Sequence, residues 1–205
     1  MRLLLICAFI ASNSLVIHAD SACSVPKETQ KKPAPLRNLI TQLADPSHTD
    51  AAVKSILELD KNDQGLRTDL APIVAALVDH CPTGSAWMNA VLLAGDLKLT
   101  TSVPSLVRAL GRGEIGSGIV AGVSEIQLTN DAVGRSLAHI GDPAIPALSK
   151  LLENQNTRTR RRAAIILLNM QSPVSRKVVR NHLASETDPR LKSFLGDLLT
   201  STFPK

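Results

Sequence analysis

Gly111-Arg-Gly-Glu-Ile-Gly116 spells the Gly-x-Gly-x-x-Gly pattern that lets a helix N-terminus approach a pyrophosphate. That chemistry needs a strand directly before the glycines. Here the preceding stretch, residues 101–110, has helical apolar spacing, so the pattern is expected to connect two helices. His48, His80, His139 and His182 could ligate a metal, but none stands three or four residues from a second His or Cys. His80 is expected at a helix C-terminus, where a cation suits the dipole. There is no Gly-x-Ser-x-Gly elbow to expose a nucleophilic serine. We therefore expect no catalytic residue, no cofactor and no metal.

The arginines are the one polar feature that rises above this background. Arg158, Arg160, Arg161 and Arg162 open one helical stretch, and Arg176, Lys177 and Arg180 lie on the next. Arg158 and Arg162 share a helix face, as do Arg176 and Arg180. Residues 150–205 carry a net charge of +7, against −2 for residues 1–149. If equivalent helices stack side by side, these residues form a basic ridge suited to an acidic protein segment or an anionic surface. The alternative is a solvated face that only aids solubility.

Composition narrows the partner. There is no Tyr, and beyond residue 20 the aromatic residues are Trp87, Phe194 and Phe203. Sugar platforms and single-stranded nucleic-acid sites rely on exposed aromatic faces, so both are disfavoured. No nucleic-acid partner is expected.

Residues 1–19 join one Arg, a short apolar run and a terminal Ala, the pattern of a secretory signal peptide cleaved after Ala19. The run is too short for a membrane span, and no later segment is apolar enough for one. The protein is expected in the periplasm or outside the cell. Cys7 would leave with the signal. Cys23 and Cys81 would remain, and in an oxidising compartment they are expected to form a disulfide, with two free thiols as the alternative.

These residues must be positioned by helices. Residues 20–34 are polar and read as an extended leader. From residue 35 the helical period dominates, and it predicts helices over 36–44, 46–60, 68–80, 84–95, 101–110, 131–140, 143–153, 158–169, 173–185 and 189–201. Asp45-Pro46, Asp142-Pro143, Ser172-Pro173 and Asp188-Pro189 pair a capping residue with Pro at the first helical position. Thr157 and Asn130 are softer starts. Residues 111–128 are too glycine-rich for a simple junction and read as a partly ordered insertion, or as a further helix around 114–127.

Pro35, Pro72, Pro104 and Pro146 each precede an aliphatic run, at spacings of 37, 32 and 42 residues. Ala138-His-Ile-Gly-Asp-Pro-Ala-Ile-Pro-Ala-Leu148 and Thr159-Arg-Arg-Arg-Ala-Ala-Ile-Ile-Leu-Leu168 resemble the HEAT-like repeats named after phycobilisome lyases. The resemblance is strongest over roughly residues 86–170. It implies an all-α, short α-solenoid of four to five antiparallel helix pairs, HEAT/armadillo-like, over residues 35–205. It brings no catalytic residues with it. The reading that follows is an exported, non-catalytic scaffold for a protein partner. Its rivals are an enzyme or accessory subunit of the lyase type, and an envelope protein held on an anionic surface.

Overall fold

A computed structural model describes residues 23–63, 65–110, 128 and 131–201, with no side-chain description at 201. The signal segment 1–19, the glycine pattern 111–116, Asn130 and Phe203 lie outside the described residues. Among the described residues ten α-helices follow one another: Ala34–Leu43 (α1), Thr49–Asp60 (α2), Leu66–His80 (α3), Ser85–Asp96 (α4), Val103–Ala109 (α5), Ala132–Ile140 (α6), Ile145–Leu151 (α7), Thr157–Asn169 (α8), Pro173–Ser185 (α9) and Pro189–Ser201 (α10). No strand occurs among the described residues.

The helices stack in two layers. Each of α2, α4, α6, α8 and α10 packs on the next of that set. On the other side α3 packs on α5, and α5 on α7. Successive helices join the layers, so each pair buries its apolar face against the next. The seam holds Val74, Leu93, Leu106, Leu137, Leu148, Ile166 and Leu167, all fully buried.

Local chemistry sets the junctions. Gly141 ends α6 at φ +78°, a conformation that glycine adopts without a Cβ penalty. Asp131 caps α6 by accepting from the Gly134 N–H at 2.7 Å. Asn156 caps α8, Ser172 caps α9, and Asp188 accepts from the N–H groups of Arg190 and Leu191, both at 2.9 Å. Two of the expected starts differ. Asp45 accepts from the Ser47 N–H in a local turn, and α2 begins only at Thr49. Asp142-Pro143 opens a 3-10 turn, and α7 begins at Ile145 with Pro146 in its first turn. The Asp45 side chain thus makes the short-range bond that competes with a helical cap. The cap of α8 is Asn156 rather than Thr157.

Residues 23–33 are tied to the helices at several points. Cys23 is bonded to Cys81 with the Cα atoms 5.0 Å apart. The Cys23 N–H donates to the Ala44 carbonyl at 3.0 Å. Lys27–Lys31 forms a 3-10 turn, and just beyond it Lys32 pairs with Asp69 at 2.6 Å. Through Cys23 this strap ties the C-terminal end of α1 to that of α3. Trp87 sits nearby, buried, its indole N–H donating to the Val78 carbonyl at 3.1 Å.

Candidate functional site

The seven cationic residues singled out at 158–180 do not form one face. Four are turned onto the protein itself. Arg160 donates through Nε and Nη2 to the two oxygens of Glu186, at 2.8 and 2.7 Å. Its Nη1 also holds the Asn154 and Gln155 carbonyls beyond the end of α7, both at 3.0 Å. Arg162 forks onto Asp131 at 2.8 and 2.7 Å and also donates to the Leu110 carbonyl. Arg161 lies over the Phe194 ring, 4.3 Å from its centroid. Arg176 donates to the Leu199 carbonyl of α10 at 2.9 Å. Charge reversal at Arg162 or Arg176 would therefore reach the fold itself, which takes both out of the basic ridge expected from periodicity.

The reason is geometric. Planar guanidinium groups with five donors satisfy carboxylates and helix-end carbonyls at once. Glu186 is the most enclosed acid of the set, with its side chain 1% exposed. It also accepts from the Asp188 N–H at 2.8 Å and lies 2.9 Å from His182 Nε2. The Arg160 guanidinium, helped by the Asp188 amide and His182 and opposed by burial, holds the Glu186 carboxyl down at about 2. Arg108 repeats the arrangement on α5. It forks onto Asp79 at 3.1 and 2.6 Å, and that bond, with Ser105 adding to it, lowers the Asp79 pKa.

Arg158, Lys177 and Arg180 are exposed, and so is Lys150 on α7. Lys150, Lys177 and Arg180 have no acidic partner among the described residues. These side chains stand among the cations that this end of the molecule exposes to solvent. The histidines are dispersed. His48 meets Asp45 on the surface at 2.8 Å, His139 is 3.7 Å from Asp96, and His80 is exposed in the last turn of α3. Among the described residues no three His, Cys, Asp or Glu come together as a metal site, and no helix is long and apolar enough to cross a membrane.

Paired helices stacked in two layers, with the Gly141-Asp-Pro143 turn joining α6 to α7, are the setting for a comparison with known families. Residues 127–195 match the family of HEAT repeats. No curated protein and no solved structure matches the chain. The HEAT segment runs from the start of α6 into α10, so it holds all seven cations of the Arg cluster. It extends further towards the C-terminus than the resemblance visible in the sequence, and it leaves out residues 86–126. HEAT repeats are characteristically protein-interaction scaffolds, so within this segment the exposed cations, not the paired ones, are the candidates for contact.

Sequence reasoning missed the acids. Asp131, Glu186 and Asp79 are the anchors that decide which arginines face inward. The one available signal was Asp131, directly before the apolar run of α6, in a position to cap it.

Proposed function

We propose that the chain is an exported, non-catalytic repeat scaffold that binds a protein partner through the cations that its HEAT segment leaves exposed. One observation carries this reading. Buried Glu186 and Asp131 neutralise Arg160 and Arg162 within the fold, while Lys150, Lys177 and Arg180 stay exposed and unpaired among the described residues. A fold that only needed charge for its own cohesion would not require the second group. An exposed charge unmatched by an internal partner acts on encounter with an oppositely charged surface.

Export rests on residues 1–19 and is supported by the Cys23–Cys81 bond, which suits an oxidising compartment. The mature chain is expected to begin at Asp20, and N-terminal sequencing of secreted material that begins at Met1 would overturn this part.

The scaffold reading is tested by cross-linking the full mature chain in its native compartment and mapping the linked peptides by mass spectrometry. A partner linked to residues of α7–α10 is expected. Recovery of the chain with no cross-linked protein, under conditions that preserve its fold, would reject the reading.

A further inference from the structure

The Cys23–Cys81 bond fastens a segment that adds little to the core. Cys23 stands where α1 and α3 both end. Its N–H donates to the carbonyl of Ala44, the C-cap of α1, and its sulfur is bonded to Cys81, the C-cap of α3. Lys32 stands where both helices begin. It lies two residues before α1 and pairs with Asp69 in the first turn of α3. Residues 23–32 therefore run back from the C-terminal ends of the two helices to their N-terminal ends.

Between those ties the segment is nearly all surface. Ser24, Val25, Lys27, Glu28, Gln30 and Lys31 are exposed, and within residues 23–32 only Cys23 and Thr29 are buried. The Thr29 hydroxyl, on a residue 1% exposed, finds no hydrogen-bond partner among the described residues. A buried hydroxyl left in that state opposes the seating of the segment. The Lys32–Asp69 pair is open to water, with the Asp69 side chain 48% exposed, so it holds weakly. Helix α1 is secured differently. Its Leu36, Ile40 and Leu43 are buried, and it packs on α2 and α4.

A staple that served the core would join elements that carry the core. This bond joins the end of α3 to a strap with few ties of its own. We propose that Cys23–Cys81 is a redox latch: reduction by a dithiol releases residues 23–32 from α1 and α3, uncovers the Cys81 thiol and leaves the helical stack folded. One thiolate of the dithiol attacks a sulfur of the bond, forms a mixed disulfide and expels the other cysteine as thiolate. The second thiol of the reductant then closes its own disulfide and expels the remaining cysteine. Two electrons pass from the dithiol to the protein, and both cysteines end as thiols. The latch lies at the end of the array remote from α7–α10, so it stands apart from the partner reading.

The test uses the full chain from Asp20. It is reduced with dithiothreitol, desalted without oxygen and pulsed with iodoacetamide, and mass spectrometry follows alkylation of each cysteine. Both thiols are expected to react within about tenfold of their rates in the urea-unfolded chain, as in a segment that opens at little cost. The helical circular dichroism and the emission of Trp87, the sole tryptophan, are expected to stay native. Thr29→Val removes the buried hydroxyl and is expected to slow alkylation of the reduced chain by about fivefold or more. Thiols that react more than about tenfold slower than in the unfolded chain overturn the latch, because the strap then holds without its bond. Alkylation that rises only as the helical signal is lost also overturns it, because the bond is then a staple of the whole fold. Unchanged rates in Thr29→Val overturn the part given to that hydroxyl.

Discussion

Gly95 of α4 lies so close to Ser136 of α6 that a Cβ built on it would stand 2.7 Å from the Ser136 Cα. The Ser136 hydroxyl in turn donates to the Val91 carbonyl at 2.7 Å, within the buried seam. The two helices meet backbone to backbone, and a single methyl group would force them apart. Gly95→Ala is expected to destabilise by about 1–3 kcal/mol through overpacking, despite the better helix propensity of Ala. Gly196 in α10 has open space around its Cβ position. Gly196→Ala is therefore expected to be neutral or to stabilise by up to about 1 kcal/mol. Urea denaturation should show Gly95→Ala clearly below wild-type stability and Gly196→Ala at or above it.

Glu186 supplies a pH dependence with a defined direction. Its folded-state pKa, about 2, lies below the 4.5 of an ordinary glutamate. The stability it contributes is therefore present above pH 4.5 and is lost as pH falls towards 2. The full contribution is of the order of 3 kcal/mol. Glu186→Gln should be clearly less stable than wild type at pH 7, with the gap closing between about pH 4.5 and 2. Thermal melts across that range check it, and a gap that does not depend on pH would remove the ion-pair explanation.

Arg162 joins Asp131, which is 6% exposed, to the Leu110 carbonyl. Arg162→Ala leaves a buried carboxylate without its cation and is expected to cost about 3–5 kcal/mol. Arg162→Lys should recover only part of the loss, because a point charge cannot fork onto both carboxylate oxygens and reach the carbonyl as well. Arg158→Ala, on an exposed residue of the same helix face, should cost less than about 1 kcal/mol. Denaturant titration of the three variants gives the ranking.

The Cys23–Cys81 bond closes a loop over a sequence separation of 58 residues. Chain-entropy arithmetic puts its contribution at about 4 kcal/mol. Reduction, or Cys23→Ser/Cys81→Ser, should lower the unfolding midpoint and raise hydrogen exchange at the Cys23 amide, which is held by the Ala44 carbonyl. Peptide mapping without reductant should recover the two cysteines in one linked species.

The helices were legible because their signals are local. Proline at first-turn positions, aliphatic spacing and the Gly141 turn each act within a few residues, and helices predicted at 173–185 and 189–201 match the observed bounds of α9 and α10. The direction of the arginines was not legible. Arg158 and Arg162 share a face by periodicity, yet Arg158 is exposed while Arg162, one turn further along α8, meets an acid 31 residues away in sequence. Periodicity gives the face but not what lies opposite it. The polar character of residues 23–33 was equally uninformative about the strap, since Lys32 finds Asp69 only after α3 is in place. Gly95 appears in the sequence as part of a Gly-Asp pair like that of Gly141-Asp142. In the fold it sits inside α4, where its missing side chain permits a close crossing rather than a turn.

The grip of Arg162 also makes one side chain a clasp shared between repeat units. It holds the Leu110 carbonyl at the end of α5 and the Asp131 carboxylate that caps α6, while its own helix, α8, packs on α6. Damage at Arg162 would therefore spread along the stack rather than stay within one repeat.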